Sequence, residues 1–356
     1  MKYESCKLQD LTQGDIARWA ELQCADRRYA SSFLRPEFSQ WLSEVRDDTG
    51  VIVVRQGNTA TGFLPYESVR GVGHPAGTPL SLCQAMVAEP DCRWDGLALL
   101  KAADLNRFVF DYWIPGQDEI TPHCTVVAEC SYIDLERGFD IYRNAVRRRG
   151  SRVFNEIRRK RSMMVRDCGP VVCELCNDPG VIRQLVAWKS EQCRRTHVAD
   201  VFRFRWSVEL LRRAVESGTA ACGALLWGLY SGQRLVAVNV LLRSHQFASG
   251  WFMAFDPSYA RYSPGMILIE EMLRQLPAMG VTRLDMGKGV SGYKRRLMTG
   301  TTSVYEGIID TQPAIRAAWV QWQQTRNWLR HSRFRPIAHR ANRVLSNVRW
   351  FMGRKY

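Results

Sequence analysis

No stretch of the 356-residue chain holds the ~18 uninterrupted apolar residues that a bilayer-spanning helix needs. The first residues, Met1-Lys-Tyr-Glu-Ser-Cys-Lys7, lack the apolar run of a signal peptide. The cytoplasm is therefore the expected compartment. The eleven cysteines are an odd number without framework spacing, which points to free thiols under reducing conditions. The single C-x-x-C, Cys173-Glu-Leu-Cys176, has no second copy. Cys168, Cys193 and His197 are candidate companions for a zinc reading. Val171, Val172 and Leu175 instead place Cys173 on a strand, so no metal is expected. Residues 311–356 contain no Asp or Glu.

That last absence locates much of the charge. The chain is +15, and the final 46 residues carry nine Arg and one Lys, together with four tryptophans. A second basic cluster spans 143–166, where ten Arg or Lys face Glu156 alone. Hydrophobic residues at 46% and aromatics at 11% describe a folded protein, and the length accommodates two domains.

The most ordered pattern runs from Ala221 to Thr299. Phe247–Phe255 reads as a buried strand that ends at Asp256-Pro257, because proline lacks the ladder donor. Ser263 is expected to cap a helix with Pro264 as its first residue. Thr282–Met286 reads as a second strand, and Gly287, Gly289 and Gly292 open a loop beyond it. Helix N-termini present unpaired N–H groups and partial positive charge, and ligands in α/β sheets bind beyond the carboxyl ends of strands. The pattern fits a site for a phosphate-bearing co-substrate and equally an ordinary crossover helix in an α/β core. Gly265 has no side chain, so a ligand could approach the backbone there.

Earlier in the chain, helices are expected near Asp15–Cys24 and Glu37–Asp47. A hairpin of Val51–Arg55 and Ala60–Tyr66 turns at Gly57-Asn58. Gly71–Pro79 reads as a loop, Asp95–Leu105 as a helix and Thr125–Ile133 as a strand. A similar order recurs in Leu175–Arg195, Trp206–Glu216 and the strand pair Leu225–Tyr230 and Arg234–Leu242, which suggests two copies of one unit. Between them, Phe139–Met164 alternates apolar and basic residues at helical spacing, with a break at Gly150-Ser151.

Phe255-Asp-Pro-Ser-Tyr259, Tyr262-Ser-Pro-Gly265, Leu284-Asp-Met-Gly287 and Gly292-Tyr-Lys294 together resemble the CelD/BcsL branch of the GNAT acyltransferases, which is related to the Fem-type transferases. The match in order and spacing covers roughly residues 150–310. It implies an α/β fold of two tandem GNAT-like domains, each a mixed central sheet flanked by helices, with a basic helical tail. The domains would be a degenerate 1–150, a catalytic 151–310 and a Trp/Arg-rich tail 311–356.

The resemblance also implies roles. Transfer from a thioester needs an anion site, an oxyanion donor, a base and an acid for the leaving thiolate. The donor-binding residues would be Arg261, Ser263, Pro264, Gly265 and Met266. Asp285 is the first candidate base and Asp256 the second. Tyr293 would protonate the thiolate, and Lys294 would stabilise the tetrahedral intermediate. Lys189, Arg158 and Lys160 would meet a phosphate-bearing or acidic acceptor. The usual GNAT motif, Arg/Gln-x-x-Gly-x-Gly/Ala, is altered here, with Pro264 and Met266 at the glycine positions. Acyl-CoA, acetyl or longer, is the expected co-substrate, and an amino sugar or lipid-linked sugar in cell-surface polysaccharide synthesis the expected acceptor. Two other readings stand beside it: an aminoacyl-tRNA-dependent Fem-like transferase acting on a peptidoglycan precursor, with nucleic acid as partner, and a silent module of a polysaccharide-synthesis complex. The tail suits an anionic membrane surface, with docking of its apolar stripe on the folded core, above all over 314–330, and RNA binding as the alternatives.

Overall fold

The computed structural model describes residues 1–290 and 292–331. The chain opens with strand β1 (Lys2–Cys6), helices α1 (Gln13–Ala25) and α2 (Pro36–Ser43), and the hairpin β2 (Thr49–Gln56) and β3 (Thr59–Val69). A capping box starts α1: the Asp15 N–H donates to Thr12 Oγ1 at 3.0 Å, and the Thr12 N–H donates to the Asp15 carboxylate at 3.4 Å. Gly57, at φ +60°, makes the hairpin turn expected there. β4 (Val72–Pro75), β5 (Val87–Ala88), α3 (Gly96–Ala102), β6 (Arg107–Trp113) and β7 (Cys124–Asp134) complete the first unit. Part of the expected loop at 71–79 is thus the strand β4.

Two helices, α4 (Phe139–Arg148) and α5 (Val153–Cys168), lead to the second unit. It contains β8 (Val171–Cys176), α6 (Pro179–Thr196), α7 (Arg205–Glu216), β9 (Gly223–Ser231), β10 (Arg234–Ser244), β11 (Phe247–Phe255), α8 (Pro264–Gln275), β12 (Arg283–Lys288), α9 (Tyr293–Leu297) and β13 (Gly300–Asp310). α6 begins at Pro179 rather than at the expected Leu175. Leu175 and Cys176 are held in β8, opposite Trp227 and Leu226 of β9. Helix α10 (Pro313–His331) follows β13.

The units share one sheet, in the order β1-β2-β3-β4-β6-β13-β7-β12-β11-β10-β9-β8, with β5 added beside β3. The order is nearly palindromic. Each half runs through an antiparallel meander to a parallel pair, β4–β6 in the first and β11–β12 in the second. The closing strands are exchanged: β7 pairs with β12 of the second unit, and β13 pairs with β6 of the first. β7 and β13 also pair with each other along their length, which welds the halves.

Helices cover both faces. α4, α5 and α8 bury one face of the second half around Leu268, Met272 and Trp227. On the opposite face α2 of the first unit joins α6 and α7 of the second in a common core. Trp251 of β11 sits edge-on to Phe33 and Phe38 with ring centres 6.3 and 6.4 Å away, and its Nε1–H donates to the Leu80 carbonyl at 3.2 Å. A core built from both units fixes the space between them. No helix among the described residues is long and apolar enough to cross a membrane.

Candidate active site

β11 and β12 are parallel neighbours for only three residue pairs: Phe247 with Arg283, Ala248 with Leu284, and Ser249 with Asp285. Beyond Ser249 a register shift lies between Val240 and Leu241 of β10, opposite Gly250–Phe252, and β11 continues to Phe255 against β10 alone. The two strands therefore part, leaving a wedge whose vertex is at Asp285. Backbone groups of β11 that face this wedge have no ladder partner on that side.

Helix α8 starts beside the wedge. Pro264 takes the first helical position, where its missing N–H costs nothing. Ser263 stands at the cap position in a left-handed conformation (φ 55°), and its hydroxyl makes no cap bond, contrary to the sequence expectation. Its carbonyl accepts the Met266 N–H at 2.9 Å, so that amide is engaged locally. The N–H of Gly265, in the first turn, has no intrahelical acceptor. The absence of a side chain at Gly265 has a structural cause: a Cβ there would lie 3.3 Å from Met253 Sδ and 3.8 Å from Phe255, so glycine lets α8 approach β11. Arg261 does reach this turn, but its guanidinium lies over the Tyr262 ring at 4.5 Å and pairs with Asp167 at 3.5 Å. Part of its charge is already answered.

Asp256 is occupied elsewhere. It caps the 257–262 turn through the Ser258 N–H at 2.9 Å and pairs with Arg234 at 2.8 Å. Burial works to raise its pKa, but the Ser258 and Arg234 bonds outweigh it and hold the carboxyl below its ordinary value. That favours a turn former over a base.

Asp285 is placed differently. Burial dominates and pushes its carboxyl up, opposed by a 2.6 Å bond from the Gly287 N–H and by the charges of Arg283 and Lys294. The structure brings Lys294 to it: Lys294 Nζ donates to the carbonyls of Gly287 at 3.2 Å and Lys288 at 2.8 Å. Burial lowers the Lys294 pKa, against the attraction of Asp285 and Cys130. Tyr293, the first residue of α9, is 38% exposed.

Asp285 also lines a cleft of about 1000 Å³ between the units. Its walls come from the end of α1 (Gln23, Cys24), the following turn (Arg27, Arg28), strand β7 (Cys130, Tyr132, Asp134) and the starts of β11 and β12. The cleft and the wedge thus meet at one carboxylate.

The remaining candidates divide. Lys189 of α6 reaches the Met253 carbonyl at 3.3 Å and Gln192 at 3.0 Å, and burial lowers its pKa. That contact places it beside the wedge. Lys160 of α5 donates to the Arg261 carbonyl, which places it at the turn before α8. Arg158 is exposed on α5. Sequence reasoning missed Met253, the residue on which Lys189 and Gly265 converge. Nothing in an apolar strand pattern marks one methionine as a meeting point.

Residues 151–295 match the family model described as an acetyltransferase (GNAT) domain. The chain contains a GNAT acyltransferase domain. The wedge between β11 and β12 and the α8 N-terminus both fall within it. Across both units the fold is similar to the C-terminal domain of a putative lysylphosphatidylglycerol synthetase from Agrobacterium fabrum (14% identity, 86% of this chain and 95% of that one, TM-score 0.56). It is also similar to FemX (9% identity, 87% and 97%, TM-score 0.54) and to L-PGS from Bacillus licheniformis (12% identity, 87% and 94%, TM-score 0.52). At these identities the likeness is one of fold, and it supports the tandem GNAT architecture. No curated protein matches the chain in sequence.

Proposed function

We propose that this GNAT domain transfers an acyl group from acyl-CoA to an amine or hydroxyl of a sugar-bearing acceptor, in the synthesis of a cell-surface polysaccharide. The observation that carries the reading is the meeting of wedge and cleft at Asp285. A thioester arm laid in the wedge finds unpaired strand groups along β11. The Met253 carbonyl faces Lys189 rather than β10, and a strand residue's N–H points to the same side as its C=O. The Met253 N–H is then a donor for the developing oxyanion. The Gly265 amide and the α8 dipole favour the pyrophosphate.

The acceptor enters from the cleft. Asp285, with its raised pKa, takes the proton of the nucleophile, and a base tuned upward suits chemistry near neutral pH. Lys294 lies beside it to offset negative charge in the tetrahedral intermediate. Tyr293, at the edge of the same loop, supplies the proton for the departing thiolate. A cleft of about 1000 Å³ with Arg27, Arg28 and Arg283 among its walls supports an acceptor larger than a single small molecule. Native mass spectrometry with acetyl-CoA and longer acyl-CoAs, followed by thiol release on adding amino-sugar or lipid-linked-sugar acceptors, tests the reading. Binding without any acceptor-dependent thiol release would contradict it.

An aminoacyl-tRNA donor is the second reading. Arg261 is already paired with Asp167, and the Met266 N–H is engaged by Ser263, which leaves a sparer pyrophosphate cradle than the usual glycine motif. Exposed Arg158 and Arg159 on α5 would suit a polyanion. Tight tRNA binding with steep salt dependence, and none to acyl-CoA, would select this donor.

The tail supports a place at an anionic membrane. Its beginning is committed to the protein: α10 packs on β13 and β7, Arg316 donates to the Pro122 carbonyl, and Gln323 is buried. The apolar stripe from Ile337 to Phe351 lies outside the described residues, so the membrane reading rests on its composition. Each cation near such a surface contributes ~1 kcal/mol. Flotation with liposomes of rising anionic content should therefore separate the full chain from one ending at Arg333. Equal flotation of the two would count against the tail.

A further inference from the structure

Ten of the eleven cysteines are buried or half-buried, and Cys24, near the end of α1, alone is exposed. It is also the thiol with polar company of the right kind. Its Sγ lies 3.4 Å from His245 Nε2, and Arg35 Nη1 donates to it at 3.3 Å. These residues come from both units and meet only in the fold. Arg35 is buried, is held by a two-bond pair with Glu37, and also donates to Gln23 Oε1 at 3.1 Å, which fixes its position. His245 sits in the β10–β11 turn with a left-handed backbone (φ 49°), and Arg243 Nε donates to its carbonyl at 3.1 Å. The imidazole is thus presented to the thiol by an anchored turn.

Cys24 thus has a proton acceptor and a fixed cation at its sulfur, on an exposed position that a disulfide can reach. Burial disfavours the thiolate at most of the remaining sites. It raises the thiol pKa of nine of them, for example to about 11 at Cys124 and about 12 at Cys130 and Cys173.

We propose that Cys24 is a modification site that exchanges with low-molecular-weight disulfides at the mouth of the inter-unit cleft. His245 Nε2 takes the thiol proton. The Cys24 sulfur attacks one sulfur of the disulfide R–S–S–R, a Cys24–S–S–R bond forms as the old S–S bond breaks, and the released R–S⁻ takes the proton back from His245. Cys24 is oxidised and half of the disulfide is reduced to its thiol. Both Cys24 and His245 line the cleft, so the adduct occupies its entrance.

The test uses the whole chain with oxidised glutathione at neutral pH, read by intact mass and peptide mapping. The expected result is one adduct, mapped to Cys24, removed by dithiothreitol. His245→Asn keeps a residue that accepts left-handed backbone but removes the proton acceptor, and it should slow adduct formation about tenfold. Cys24→Ser should abolish the adduct under the same conditions. Adducts spread over several cysteines, no adduct at all, or an unchanged rate in a folded His245→Asn variant would overturn the proposal.

Discussion

At the scale of single residues, Asp285 combines two opposed demands. Its carboxyl is buried, which raises its pKa, and that burden falls on stability. The sign is fixed by linkage. The folded chain holds the Asp285 proton to higher pH than the unfolded chain, whose ordinary value is about 3.9. Stability therefore falls as pH rises from that value through the folded pKa, and the cost is fully present above it. Asp285→Asn removes the charge while keeping an oxygen for the Gly287 N–H. It should be more stable than the native protein at pH 8 and gain little at pH 4, as measured by thermal unfolding at the two values. The same variant should lose at least ~100-fold in turnover while retaining donor affinity, as expected for a general base. Turnover of the native enzyme should climb with pH as the raised carboxyl ionises.

Lys294 belongs to the same scale. It ties the carbonyls of Gly287 and Lys288 and lies within the field of Asp285. Lys294→Ala is expected to slow turnover by ~100-fold with little change in donor affinity. Both residues were legible, because Leu284-Asp-Met-Gly287 and Gly292-Tyr-Lys294 are local patterns. Gly265 was legible as a special position, but not the close approach to Met253 that it permits, a contact that pattern cannot reveal. The Cys24–His245 pair spans 221 positions and carries no motif, so only the fold discloses it.

At the scale of elements, the wedge arises because β12 leaves β11 after Asp285 while staying beside β7 as far as Lys288. Three paired positions anchor the vertex, and the remaining six residues of β11 run on without that neighbour. The strands themselves were readable from apolar runs bounded by Pro257 and Gly287. Their parting was not, since divergence depends on the register shift near Gly250 and on β7 taking β12's other edge. α10 was the harder helix to judge. Its Trp and Arg content suits a membrane, yet its first part contacts β13 and β7.

At the scale of the whole molecule, the exchange of β7 and β13 makes two tandem units into one sheet. The repeated helix–helix–hairpin order was visible in the sequence. The exchange was not, because each closing strand follows its own unit in the chain but pairs across to the other. Gly307 marks where β13 is most tightly held: a Cβ there would lie 2.1 Å from the His123 carbonyl oxygen and 2.5 Å from Phe110. The backbone of β13 would have to move away from both of its partners. Gly307→Ala is expected to destabilise the protein by about 3 kcal/mol or more, at the upper end of overpacking effects. Both units should unfold in the same transition, seen by tryptophan fluorescence and by calorimetry. Separate transitions for the halves would show that the shared strands do not couple them.

The central claim is that an acyl-CoA lies with its pyrophosphate at the start of α8 and its thioester in the β11–β12 wedge. Met266→Glu tests it, since an acidic residue in the first turn suits the helix dipole yet repels a phosphate. The decisive measurement is isothermal titration calorimetry of acetyl-CoA and longer acyl-CoAs against the native chain and this variant, with folding checked by thermal unfolding. The account predicts one site per chain in the native protein and at least a tenfold loss of affinity in a variant that is still folded at the temperature of titration, although Met266 packs against the core. Equal affinity in the two proteins, or no binding of any acyl-CoA to the native chain, would contradict it.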